Sequence, residues 1–515
     1  MIKKVWRLET GIFVGTWLLL MVCASSSLLR DPGTFTHTVV GERILSTGQL
    51  IYTDPFSFTY GGKYWIANQW LGECIMALIH RVAGLDSLLL ATVTLLAFFY
   101  TWMAHRLVRV GIHPLLAVLI ISLAAAASSH HFHIRPHLAT IVFLGFSLAM
   151  LCDFEAGHIS IGRLFWLAPL FLLWANIHGG FLGGMGTLFL VTAGWIFAWL
   201  AGGESPISGI RQALVLVVIV IACGLTAFVN PYGVELPTAW LSIMNLPLLP
   251  QIIMEHAPLA SSKTALAVLP LGLLYMAALI GVFPRRPRVT WFIPLVWLYL
   301  AWTRVRHAPL FATAFAIVIA DMLPHVRWVK WLSQRGSEVC KIRTAHQMEI
   351  SNGITITQTF IPIILILTTI TFQVAGVRLP VFGSGWAKPD PAHWPIGLLG
   401  ELKRIESQRP IGTPIFNDFL YGGFLIYYTP RMRIFIDDRC ELYGAEGLSM
   451  YMNLEDAPDQ INRLAEEYGS EFALVKSASR FDRYLSEAKN WSLLKRVDAA
   501  VLYQRNSKAH MALPP

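Results

Sequence analysis

The chain is 515 residues long, 55% hydrophobic and only 14% charged, with 40 Lys and Arg against 31 Asp and Glu. A water-soluble globule carries about 25% charged residues, so this composition excludes a purely soluble enzyme and points to a polytopic membrane protein. Residues 1–379 carry 24 basic and 14 acidic side chains, residues 380–515 carry 16 and 17; the basic excess belongs to the apolar part, where it reports topology, and nucleic acid is set aside as a partner.

Apolar windows separated by polar breaks predict spans near 11–29, 86–104, 114–129, 138–152, 163–177, 181–201, 211–229, 264–283, 289–303, 307–322 and 355–377, about eleven transmembrane helices. The start, Met1-Ile-Lys-Lys and an apolar run, resembles a signal peptide; it reads as a retained first helix because Cys23-Ala-Ser-Ser-Ser is a weak cleavage site. Lys3, Lys4 and Arg7 put the N-terminus inside. By alternation the inside loops then hold Arg106 and Arg109, Arg163, Arg211, Arg285-Arg286-Pro-Arg288, and Arg327, Lys330, Arg335, Lys341 and Arg343. The six cysteines show no CxxC spacing and offer neither a disulfide framework nor a thiolate metal site.

Residues 1–379 thus form a helical membrane domain whose first outer loop, 29–85, is large. Residues 380–398, rich in Gly, Pro and Trp around 381–394, read as a linker. From 399 to 515 the pattern changes to short alternating runs at 414–417, 424–428, 433–437, 472–476, 492–495 and 500–504, with helical candidates at 460–468 and 479–489. This is a small α/β domain, and an odd number of crossings puts it on the outer face.

Charged groups held near hydrocarbon are expensive and have a functional reading by default. They collect on one face. The first loop contains Asp31, His37, Asp54, Trp70 and Glu73; the turn after the third span is His130-His131-Phe-His133-Ile-Arg135-Pro-His137; later turns carry Asn176-Ile-His178-Gly-Gly and Arg304-Val-Arg306-His307. Asp31 and Asp54 are candidates for a general base toward an acceptor hydroxyl, or equally for a helix cap and an Asp-Pro turn. Arg135, Arg304 and Arg306 suit a phosphate or diphosphate, with headgroup contact as the bland alternative. The histidines more readily donate hydrogen bonds to phosphate or sugar than ligate metal, because nothing adjacent supplies a carboxylate or thiolate. No Gly-x-Ser-x-Gly, Walker loop or Gly-x-Gly-x-x-Gly fingerprint is present. Asp437-Asp438-Arg439 reads as a solvated strand-end turn, with contact to an acceptor as the sharper alternative.

The pattern Asp31-Pro-Gly-Thr-Phe-Thr-His37, Gly41-Glu-Arg-Ile-Leu-Ser-Thr-Gly48, Asp54-Pro-Phe-Ser-Phe-Thr, Gln69-Trp70-Leu-Gly-Glu73, Arg135-Pro-His137, Trp174-Ala-Asn176-Ile-His178-Gly-Gly and, in the tail, Phe416-Asn-Asp-Phe-Leu-Tyr-Gly-Gly423 with Phe435-Ile-Asp437-Asp-Arg439 resembles the GT-C-type polytopic membrane glycosyltransferases, in particular the bacterial RgtA/B/C/D-like or protein-mannosyltransferase-like group. The resemblance implies a GT-C-like helical bundle in the bacterial plasma (inner) membrane that moves a hexose or pentose from a polyprenyl-phosphate donor to a lipid, protein or polymer acceptor on the extracytoplasmic face. It implies Asp31 as base and Asp54 as the second acidic position; the family's acidic pair is absent because proline follows Asp31. The assignment of Arg135, Arg304 and Arg306 to the donor phosphate rests on charge and face. His37, Glu73, Trp70, His133, His137, Asn176, His178 and His307 are the candidate substrate-binding residues. No cofactor is assigned and no metal ligand is named; a divalent cation stays open as an alternative that no sequence feature supports. A flippase or transporter of a lipid-linked sugar, and an inactive scaffold, are the alternatives.

Overall fold

In a bilayer each backbone polar group must be satisfied within its own segment, so long apolar runs become helices. The computed structural model describes residues 8–246, 248–342, 356–377 and 385–506, with only the backbone of 356–358. Lys3, Lys4, Arg7 and Arg343, used above for orientation, and residues 380–384 of the linker lie outside the described residues. Each of the eleven predicted windows contains a helix: Leu8–Leu18, Leu85–Arg109, Pro114–Ser128, Leu138–Glu155, Leu167–Ile177, Phe181–Leu200, Ile210–Leu225, Ala265–Ile280, Ile293–Thr303, Ala308–Met322 and Ile356–Val374. Among the described residues six helical segments are long and apolar enough to cross a membrane by length and composition, and the remainder are shorter apolar helices.

The helix Ala308–Met322 is buried along nearly its whole length and packs on Pro114–Ser128, Leu138–Glu155 and Ile293–Thr303. Ion pairs fasten one end of this bundle. Arg106 forks onto Asp153 at 2.8 and 2.9 Å, Arg288 pairs with Asp321, and Glu155 accepts the backbone N–H groups of Val289 and Thr290. These residues end or begin the helices at the surface away from the first loop.

The first loop is itself built of helices, Gly33–Thr47 and Trp70–Ala83, where the sequence pattern gave no periodic signal. They cross closely because Gly41 has no side chain: a Cβ there would overlap the Glu73 carbonyl. The polar segment between them turns back through a bridge pairing Thr53 with Tyr64.

The tail carries a five-stranded mixed sheet in the order β2-β1-β3-β5-β4, with β1 Pro414–Asn417, β2 Arg433–Ile434, β3 Phe472–Lys476, β4 Trp491–Arg496 and β5 Ala500–Arg505. β1 runs parallel to β2 and β3; β5 is antiparallel to β3 and β4. One expected strand is corrected. Residues 424–428 lie in the helix Gly422–Tyr428, with Gly422 pressed on the Ile436 carbonyl and Gly423 on the Pro32 carbonyl. Helices Leu399–Gln408 and Cys440–Asp456 join those expected near 460–468 and 479–489.

The tail sits on the first loop. Phe35 shares an apolar cluster with Trp394, Leu398 and Phe424, its ring edge-on to Trp394 at 5.1 Å. The described part of the linker is docked as well: Asp86 accepts the N–H groups of Gly385 and Ala387 at 2.7 Å, and Trp394 donates to the Leu29 carbonyl at 2.8 Å.

Candidate functional site

A cavity of about 1110 Å³ opens where the bundle, the first loop and the tail meet. Its lining changes character along its length. One end is apolar, with Ile141, Leu182, Gly183, Leu190, Val296 and Trp297; the other holds Asp31, His37, Glu73, His133, Arg135, His137, His178, Glu255, Arg304, Arg306 and His307, facing Asp418, Asp438, Glu441 and Glu455 from the tail. Leu190 and Met244 in the apolar portion are about half exposed, 45% and 55%.

Asp31 stands at the start of the helix Gly33–Thr47, where its Oδ1 accepts the Gly33 N–H at 2.7 Å, the capping role, and its Oδ2 accepts from Arg135 at 2.9 Å. Gly33 is the floor of this cluster. A Cβ at that position would lie 2.8 Å from Arg135 Nε and 2.9 Å from both Asp31 Oδ1 and Asp438 Oδ2. Burial pushes the Asp31 carboxyl up, but Arg135 together with His133 and His137 brings the group below the usual carboxylate range. Glu255 behaves alike: burial is overcome by Arg135 and Arg306, leaving it at about 2. Asp438 moves the other way, raised by burial and then by Asp437, and accepts a 3.0 Å hydrogen bond from Thr36.

The hydrogen-bond pattern fixes the ring protons of several histidines. His178 Nδ1 accepts the Gly180 N–H at 2.9 Å, so its proton is on Nε2; Thr140, which takes the Trp174 indole N–H at 2.9 Å, lies 2.9 Å from the same Nδ1. His137 gives its Nε2–H to the His131 carbonyl at 2.8 Å, and burial followed by Arg135 pushes it down to about 4. His307 gives Nδ1–H to the Leu300 carbonyl at 3.0 Å. His37 Nδ1 lies 2.8 Å from Glu73 Oε1. Arg306 donates to His256 Nε2 at 2.6 Å, and burial together with Arg306 takes His256 down to about 3.

Three sequence-selected residues do not line the cavity. Asp54 is buried beneath the loop: Ser57 and the N–H groups of Phe56 and Ser57 donate to it, and Arg439 pairs with it at 2.7 Å. Trp70 gives its indole N–H to Asn176 Oδ1 at 3.0 Å, and Asn176 Nδ2 donates to the carbonyls of Leu172 and Val229. That pair ties the loop to the bundle. Asp437-Asp438-Arg439 is not a solvated turn: Asp437 is fully buried and Arg439 4% exposed, its guanidinium shared between Asp54 and Asp437 and set 4.6 Å from the Trp65 ring and 5.0 Å from Phe56. Their mutual neutralisation made the burial invisible in a residue-by-residue reading.

Sequence reasoning missed Glu255, His256 and, apart from Asp438, the tail's acidic wall. Glu255 is the one acid in the long segment between the helices Ile210–Leu225 and Ala265–Ile280 other than Glu235, and its isolation in apolar sequence was the available signal. Ligand atoms of Asp31, His133 and Glu255 all lie within 4.8 Å of one another, a set able to hold a divalent cation. His133 Nδ1 has no hydrogen-bond partner among the described residues, and one imidazole with two carboxylates suits zinc or manganese better than magnesium, while Arg135 competes for Asp31.

No family model and no curated protein matches the chain by sequence. Solved structures do match by shape. The crystal structure of the Archaeoglobus fulgidus oligosaccharyltransferase, tethered with an acceptor peptide containing the NVT sequon, superposes with a TM-score of 0.50 at 12% identity, covering 91% of this chain and 69% of that one. The chain has a GT-C-type membrane glycosyltransferase fold. The ArnT structure from Cupriavidus metallidurans bound to undecaprenyl phosphate matches with a TM-score of 0.42 at 12% identity, covering 98% of each chain. The apolar helices make this a multi-pass membrane protein, with its small sheet domain packed over the first loop.

Proposed function

We propose that the protein is a membrane glycosyltransferase that takes a hexose or pentose from a polyprenyl-phosphate donor and transfers it to an acceptor hydroxyl on the extracytoplasmic face. The observation that supports this is the amphiphilic cavity: an apolar portion and three guanidiniums, Arg135, Arg304 and Arg306, line one hollow. An isoprenoid chain needs the first, and the phosphate that leaves with it needs the second. The tail's acidic side, Asp418, Asp438 and Glu455, faces the space left for the acceptor.

In this reading the arginines neutralise the phosphate as its bond to the anomeric carbon breaks, which is the main electrostatic demand of the reaction. His178, with its proton on Nε2, is a further donor to phosphate or sugar. Asp31 holds Arg135 in place; a carboxylate held below its usual range is a weak base, so that grip is its stronger contribution. A cation bound by Asp31, His133 and Glu255 would supply a Lewis acid for the same phosphate. Asp54, Trp70 and Asn176 keep loop and bundle in register.

The test is release of polyprenyl phosphate by purified protein from a panel of polyprenyl-phosphate hexoses and pentoses, with nucleotide sugars as controls. Turnover is expected with at least one lipid donor and with no nucleotide sugar. An absence of release across the panel, with lipid-linked sugar instead crossing the membrane of protein-containing vesicles, would establish the transporter reading in its place.

A further inference from the structure

The transfer needs a base, and the first-loop acids are committed elsewhere: Asp31 to Arg135 and the Gly33 N–H, Asp54 to Arg439. A different pair is built as a base. His37 and Glu73 come from the two crossing helices of the first loop, 36 positions apart, and both line the cavity. They are buried, with side chains 10% and 3% exposed, and His37 Nδ1 meets Glu73 Oε1 at 2.8 Å. The carboxylate accepts, so Nδ1 carries the proton and the lone pair is on Nε2, which is itself buried and has no partner among the described residues. The close crossing at Gly41, against the backbone of Glu73 itself, holds the two side chains at this distance.

Of the other cavity histidines, His131 meets Glu255 at 3.7 Å, beyond hydrogen-bond reach, and His133 lies near Asp31 and Glu255, two carboxylates that Arg135 already draws on. His137 and His307 donate to backbone carbonyls, which cannot balance a full positive charge as a carboxylate can, and His178 has its accepting nitrogen turned to Gly180 and Thr140. His37 also follows Gly33 by four residues in the same helix, so its side chain lies on the same face, roughly 6 Å along from the Asp31, Arg135 and Asp438 cluster.

We propose that His37 is the general base of the transfer and that Glu73 is the residue that positions it; this rests on the transferase reading above. The acceptor O–H proton passes to His37 Nε2 while the acceptor oxygen forms its bond to the anomeric carbon. The bond from that carbon to the donor phosphate breaks, its electron pair leaves with the phosphate oxygen, and the arginines balance the charge. Attack opposite the leaving group inverts the anomeric configuration. With water in place of the acceptor, the same base drives donor hydrolysis.

The experiment measures release of polyprenyl phosphate from the same donor panel by wild type, His37→Gln, His37→Ala, Glu73→Gln and Glu73→Asp, with donor affinity measured alongside. His37→Gln is expected to lower kcat by about 10²–10⁴-fold with donor KM little changed. Added imidazole is expected to restore part of the activity of His37→Ala, which a merely structural role would not allow. Glu73→Gln is expected to lower kcat without raising donor KM, and Glu73→Asp to regain part of the loss. A His37→Gln enzyme that keeps kcat within about threefold of wild type overturns the assignment and leaves the transferase reading standing. A wild type that releases nothing from any donor overturns both.

Discussion

Replacing Arg135 by glutamine is expected to cut transfer by about 10²–10³-fold, the loss typical of removing one charge-stabilising donor from a reaction centre. The side chain is wedged between Asp31, Glu255 and Asp438, and its guanidinium is where charge on a departing phosphate would be met. The effect should appear in kcat as well as in donor affinity, because the charge at the leaving oxygen is greatest as the bond breaks. Arg135→Lys keeps the charge but loses the fork, so it should be intermediate. The double variant Arg135→Gln/Asp31→Asn should recover protein stability relative to Arg135→Gln, which leaves Asp31 buried without its cation, yet recover no activity. Thermal melting in detergent and initial-rate assays check the two halves of this expectation separately.

The second large effect is on stability. Arg439→Leu leaves the fully buried Asp54 and Asp437 facing each other without their shared guanidinium, and breaking such a buried pair costs about 3–5 kcal/mol. Asp54→Asn removes one partner only, so Arg439 keeps Asp437 and the loss should be smaller. The informative comparison is between rate and melting: Asp54→Asn should lower the melting temperature while activity per folded molecule stays within about threefold of wild type. A collapse of kcat at unchanged stability would instead return Asp54 to the chemistry that its place in the first loop implies.

These two residues also show what the linear sequence carries and what it withholds. The helical windows were legible because hydrocarbon demands long apolar segments, and the convergence of Arg135, His137, His178 and Arg306 followed from alternation alone. The role of Asp54 was not legible, because its partner lies 385 positions away in the tail. Residues 424–428 form an apolar run too short to show whether its period is two or near four, and the close seats of Gly422 and Gly423 on neighbouring backbone decide for helix. The helix Gly33–Thr47 hides for a related reason: it is threonine-rich and buried on several sides, so it lacks the one-sided stripe of a surface helix. The tail's acidic wall reads as ordinary surface charge until Arg439 is seen to bring that turn inward.

Everything about the chemistry depends on a lipid-borne phosphate entering this cavity rather than some other part of the bundle. The direct measurement is an electron cryomicroscopy structure of the purified protein with polyprenyl phosphate. The phosphate should lie among Arg135, Arg304 and Arg306, with the isoprenoid running past Leu182, Leu190 and Trp297. A phosphate seated instead beside Arg285 and Arg288 at the opposite end of the helices, with the cavity free of lipid, would contradict the assignment of donor site and face together.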